Sequence, residues 1–175
     1  MRLAIIILVG IIVGLALMVG IVALIGAGLP KRHDASRSLF LHKSPEEVYA
    51  VVRDLESAPK WRTDLKSVQV KRLPDGGVHF QEQGGQGTVN YALEEDVPQR
   101  RMVTRILDQD LGYSGRWVYA FAPENGGTRV TITEEGEVSN VLFRFMSRYI
   151  FGHTATLDSY LTSLAKRFGE DAKPQ

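Results

Sequence analysis

Three hydrophobic patterns follow one another along this chain. Residues 3–29, LAIIILVGIIVGLALMVGIVALIGAGL, run for 27 positions without a charge. Residues 66–138 are built of short runs rich in β-branched and aromatic side chains, separated by Gly, Pro, Asn and Asp. Residues 140–169 return apolar side chains at steps of three and four, the period of one helix face.

The first pattern predicts a transmembrane helix. At ~1.5 Å per residue it reaches ~40 Å, more than the ~30 Å hydrocarbon core. A secretory signal has an apolar stretch of only ~7–15 residues, and no persuasive small-x-small cleavage motif precedes Pro30 here. The reading is a single-pass anchor over residues 3–29. Gly10 with Gly14, and Ala16 with Gly20, have the spacing that lets two such helices approach closely, so self-association through the anchor is an expectation, although Gly is frequent in membrane helices generally. Lys31, Arg32 and Arg37 outweigh Arg2 in flanking positive charge, which places the domain beyond the anchor on the cytoplasmic side.

Residues 30–37, PKRHDASR, are polar and aperiodic and read as a linker, so the domain is set at residues 38–171. A first strand is expected at residues 38–42. Ser44, Pro45 and Glu47 then form a helix-start signal of N-cap, first-turn proline and capping-box acid, for a helix to about Val52. A second short helix over residues 54–61 contains Pro59. Six strands follow, SVQVKRL, GVHFQEQ, TVNYALEEDV, RRMVTRILD, RWVYAFAP and TRVTITEEGEV, joined by turns short enough for antiparallel neighbours. A long amphipathic helix over residues 140–169 closes the chain. The class is α+β, with an antiparallel sheet whose inner face and the helix's apolar stripe cover each other.

This order of elements is the helix-grip arrangement, and the chain resembles the START-like (SRPBCC) superfamily, most closely its polyketide cyclase/dehydrase and lipid-transport branch. The resemblance is carried by SPEEVYAVVRDLESAPKW (residues 44–61), GGTRVTITEEGEV (126–138) and SNVLFRFMSRYIFGHTATLDSYLTSLAKRFGE (139–170). It implies an apolar cavity between the sheet and the C-terminal helix, suited to a hydrophobic or amphipathic, lipid-like small molecule. The departure is the anchor, since many relatives are wholly soluble.

Candidate site residues come from the strand alternation. Trp117, Tyr119 and Phe121, with Tyr113 at the strand's start, share one face, and Phe80, Tyr91 and Met102 can join them from neighbouring strands. Phe145, Tyr149 and His153 face them from the helix. Each ring is at least as well explained as core, but Tyr and Trp also keep a polar tip suited to an amphipathic ligand. His153 is the one candidate for acid–base catalysis; no nucleophile motif accompanies it, so catalytic residues remain unknown. Among Glu82, Glu94, Glu95, Arg101, Arg105 and Arg116, cross-strand pairs on the outer face are expected, and parity leaves open whether one of them points inward.

Charge removes other classes. With 21 basic and 20 acidic residues there is no electrostatic footprint for nucleic acid. The four histidines are scattered and there is no cysteine, so no metal site or cofactor is expected. Two alternatives to ligand binding stay open: a cyclase/dehydrase-like enzyme, and a structural or interaction module of a membrane complex.

Overall fold

The computed structural model describes residues 2–85, 87–152 and 154–175. Seven antiparallel strands form one sheet in the order β1-β7-β6-β5-β4-β3-β2. They are β1 Arg32–Leu41, β2 Leu65–Arg72, β3 Val78–Gly84, β4 Gly87–Val97, β5 Arg101–Ile106, β6 Tyr113–Glu124 and β7 Gly127–Val138. The expected six-strand meander is present, and β1 closes onto β7 at the far edge.

Helix α1, Arg2–Gly28, is the apolar helix foreseen at the amino end; by length and composition it is able to cross a membrane. Helix α2, Pro45–Arg53, begins as its sequence signal requires. Ser44 Oγ accepts from the Glu47 backbone N–H at 3.2 Å, and Glu47 Oε2 accepts from the Ser44 N–H at 3.0 Å. A 3-10 segment, Leu55–Lys60, follows and ends at Trp61.

Two expectations are corrected. Residues 32–37, read as part of a linker, belong to β1, paired with β7 from Arg32 opposite Glu137 onward. The segment's polarity suits an edge strand. Ala35 is buried, and Arg37 donates to Asp158 Oδ1 at 2.9 Å and to Thr154 Oγ1 at 3.1 Å. The polar side chains are thus used in tertiary bonds, which hydropathy cannot foretell.

The closing helix is also not continuous. Helix α3, Val141–Met146, runs into a π turn, Ser147–Phe151, and a separate helix α4, Ala155–Arg167, starts after Gly152. Gly152 has φ of +74°, a left-handed conformation that ends a right-handed helix. The apolar spacing survives the break because the wider π turn and the reversal are local, so periodicity alone conceals it.

The core lies between the sheet and α2, the Trp61 turn and α4. Leu39, Val48, Met102, Ile132, Leu157, Leu161 and Leu164 are almost fully buried there. Helix α3 packs on the last turns of α1 instead. At Gly26 a Cβ atom would lie 2.0 Å from the Val141 carbonyl oxygen, so only glycine permits that approach.

Candidate ligand site between sheet and helix

Strand register decides which side chains meet inside. Phe80 lies opposite Tyr91, Met102 opposite Tyr119, Thr104 opposite Trp117, and Trp117 opposite Glu134. Glu82, two residues beyond Phe80, falls on the same face by the two-residue alternation of a strand. Tyr160 of α4 sits over this face. Its ring centroid is 5.3 Å from Trp61, 5.8 Å from Trp117 and 5.7 Å from Tyr119, while Phe80 and Tyr91 stack at 5.0 Å.

An ion pair lies within these rings. Arg62 follows Trp61 where the 3-10 segment ends, its N–H bonded to the Ala58 carbonyl at 2.8 Å, and that turn aims the guanidinium inward. Nη1 donates to Glu82 Oε1 at 2.6 Å and Nη2 to Asp64 Oδ2 at 2.7 Å, and the guanidinium carbon stands 5.1 Å from the Tyr160 centroid. The Arg62 and Glu82 side chains retain 11% and 14% of their exposure, against 43% for Asp64.

The two charges respond unequally to this setting. Burial opposes the Arg62 charge, but the Glu82 carboxylate and the hydrogen bond to Asp64 outweigh it and hold the guanidinium above its usual range. Burial pushes the Glu82 carboxyl up, and Arg62 offsets this only in part while Asp64 adds repulsion. Both shifts are upward, so the pair favours the cation and strains the anion. The physical reason is that Arg62 has two counter-charges and Glu82 one. Burial likewise raises the phenols of Tyr91, Tyr119 and Tyr160, which stay protonated as neutral hydrogen-bonding groups.

Two further polar features edge the site. Glu134 accepts from Trp117 Nε1 at 3.0 Å and meets His33 Nε2 at 3.1 Å, so the first acid of the run Glu134, Glu135, Glu137 serves the interior while Glu135 pairs outward with Arg116 at 2.6 Å. Trp61 Nε1 is buried with no hydrogen-bond partner among the described residues.

The residues singled out from the sequence divide. Tyr91 and Tyr119 lie within reach of the ion pair's charges, Phe80 stacks on Tyr91, and Trp117 packs on Tyr119 and Tyr160. Met102 and Phe121 are buried in the core, Phe121 edge-on to Tyr49 at 5.7 Å. Phe145 and Tyr149 face each other at 5.0 Å on the α3 and π segment, with Tyr149 largely exposed. His153 lies outside the described residues. Arg105 and Arg116 pair with Glu94 and Glu135 in exposed positions and Arg101 with Glu95 in a partly buried one, so that of the six charged strand residues singled out only Glu82 points inward. Arg62 was missed. Its signal was position, an arginine next to Trp61 at the end of a Pro-interrupted helix.

The space between sheet and α4 is occupied by these side chains. Two open surface concavities among the described residues lie elsewhere. One, of about 480 Å³, is at Tyr49, Arg53, Arg72 and Gln99; the other, of about 470 Å³, is at Pro45, Pro98, Phe121 and Pro123.

A seven-stranded antiparallel sheet gripping a C-terminal helix over an aromatic interior defines a START-like protein of the helix-grip class. Residues 32–169 match the family described as polyketide cyclase / dehydrase and lipid transport, and the chain belongs to it. Solved structures agree on the fold. A START superfamily protein from Mycobacterium smegmatis is 17% identical, with a TM-score of 0.62 over 77% of this chain and 96% of its own. The di-domain ARO/CYC StfQ from the steffimycin biosynthetic pathway is 15% identical, with a TM-score of 0.61 over 79% of this chain and 52% of its own. A hypothetical protein from Helicobacter pylori is 11% identical, with a TM-score of 0.65 over 80% of this chain and 89% of its own. No curated protein matches the sequence.

Proposed function

We propose that the chain is a membrane-anchored binding protein for an amphipathic, lipid-like small molecule. The apolar part of the ligand packs on the inner aromatic face, and its polar end meets Arg62, Glu82 and the tyrosine hydroxyls. The observation that carries this is the Arg62–Glu82 pair beneath Tyr160, a charged and hydrogen-bonding centre inside an otherwise apolar interface. Such a pair contributes little net stability, because desolvation costs about what the attraction returns. A ligand-contacting role accounts for its placement, and the unpartnered Trp61 N–H supplies one more donor. Entry requires the packed rings to part, and the intermediate exposure of Tyr91 and Trp117 marks where the face is least covered. Helix α1 holds the domain at the bilayer. Its Gly10, Gly14 and Gly20 have open space beside them, which suits self-association of anchors.

The raised Glu82 carboxyl supports a second reading, a cyclase/dehydrase-like enzyme in which Glu82 exchanges a proton with a bound carbonyl compound.

Intrinsic fluorescence tests the binding reading, because the chain has 2 tryptophans and both Trp61 and Trp117 touch Tyr160. Delipidated full chain titrated with a total polar lipid extract is expected to show a saturable shift in emission. An unchanged spectrum at saturating extract rejects the reading.

A further inference from the structure

Among the described residues the large apolar side chains the domain exposes are mostly on one segment, the exceptions being Val97 on β4 and Tyr113 at the start of β6. The other four, Leu142 (38% exposed), Phe143 (47%), Tyr149 (59%) and Ile150 (59%), belong to α3 and its π turn. This is the segment that packs on α1. Gly26 is buried beneath Val141, and Val22 and Ala23 on the same turns are half-buried. Arg144 fixes the junction, donating from Nη1 to the Leu29 carbonyl at 3.0 Å and from Nη2 to the Ser139 carbonyl at 3.2 Å. It places a cation at the carboxyl end of α1, where unpaired carbonyls and the helix dipole favour one.

The length of α1 sets the depth of this segment. Its 27 residues exceed the about 20 needed to fill the hydrocarbon core, leaving about seven turn-forming residues beyond it. With the amino end of the helix at one boundary, the surplus is residues 22–28, the stretch that α3 contacts. With α1 spanning the bilayer in this way, α3 and the π turn that continues it would sit at headgroup level.

We propose that the α3 and π segment is a bilayer-docking surface. Phe143, Tyr149 and Ile150 enter the interface beside the anchor, and the exposed cations Lys31, Arg32 and Arg148 meet lipid phosphates. Aromatic and aliphatic side chains at headgroup depth, flanked by basic residues, are the composition of an interfacial helix. The segment follows β7 and precedes α4, so docking ties the bilayer to the chain that leads into Tyr160. The inference rests on α1 spanning the membrane.

The chain has no cysteine, so single labels are straightforward. The full chain is reconstituted in phosphatidylcholine nanodiscs at one chain per disc, with an environment-sensitive fluorophore at Phe143→Cys, Tyr149→Cys or Ile150→Cys. Ile12→Cys in α1 and Lys71→Cys on β2, the opposite sheet edge, serve as controls. Labels at 143, 149 and 150 are expected to emit as in an apolar medium and to be quenched by lipids brominated high in the acyl chain. Lys71→Cys is expected to show neither effect. If Ile12→Cys is quenched and the three others are not, the docking surface is wrong while the anchor stands. If Ile12→Cys, at the middle of the span, is not quenched by lipids brominated near the end of the acyl chain, both fall. Apolar emission that arises only at two chains per disc, without bromine quenching, assigns the surface to a second copy and overturns the proposal.

Discussion

The Arg62 guanidinium lies 2.6 Å from Glu82 and 5.1 Å from the centre of the Tyr160 ring, so a helix-end arginine, a strand acid and a closing-helix phenol are held as one group. Removing only the cation leaves a buried carboxylate with no partner. Arg62→Met is expected to cost about 3–5 kcal/mol in thermal or denaturant unfolding. The double variant Arg62→Met/Glu82→Leu is expected to regain most of that loss, because two apolar side chains then fill the space. A double variant as unstable as the single one would show that the pair is needed for folding itself.

The upward shift of Glu82 has a pH signature. The folded state holds this proton more tightly than the unfolded one, whose carboxyl titrates near 4.5. Its contribution to stability is fully present below that value and is lost as pH rises through the raised folded value. Comparing wild type with Glu82→Gln cancels the other titrating groups. The difference in melting temperature, variant minus wild type, is expected to become more positive as pH rises above about 4.5. A difference that stays level or falls would mean that Arg62 dominates and the carboxyl is not strained.

Gly26 offers a test of how rigidly α1 is joined to the domain. A side chain at this position would collide with the Val141 carbonyl oxygen, a backbone atom with no rotamer to yield. Gly26→Val is expected to separate α1 from α3 while the sheet remains folded, with a loss of about 1–3 kcal/mol of packing at that contact. Spin labels on the two helices would report it as a longer and broader distance distribution. An unchanged distance would place the approach of the two helices elsewhere.

The start of α2 has a smaller expected effect. Ser44→Ala removes the hydroxyl that accepts from the Glu47 N–H and is expected to lower stability by about 1 kcal/mol in denaturant unfolding.

How much of this was legible in the sequence follows from the range of each interaction. The capping box at Ser44, the strand alternation through Trp117, Tyr119 and Phe121, and the glycine-marked turns are local, and the strands and α2 formed where their patterns lay. The first half of β1 was not legible because His33 and Arg37 earn their places through Glu134 and Asp158, over a hundred residues away. The break at Gly152 was hidden by apolar spacing that reads through a π turn as it does through an α-helix. At the site, alternation brought Phe80, Tyr91, Trp117 and Tyr119 to one face. Glu82 was ambiguous because a single strand does not say which of its faces is covered. Arg62 was invisible because a turn, with no period, aims it.

Short connections tie α1 closely to the domain. Only residues 29–31 separate α1 from β1, the Val138 N–H bonds to the Lys31 carbonyl at 2.8 Å, and Arg144 bonds to Leu29. The domain is braced against the carboxyl end of α1.

The most direct test of the central claim is native mass spectrometry of the full chain extracted from its own membranes in polymer-bounded discs. Wild type is expected to retain one discrete small-molecule adduct per chain after the disc lipids are stripped. Hydrogen bonds to charged groups are worth about 1.5–3 kcal/mol, so Arg62→Met/Glu82→Leu is expected to retain the adduct at least about tenfold less well. A wild-type chain that emerges bare, or an adduct held equally by the variant, would contradict the account.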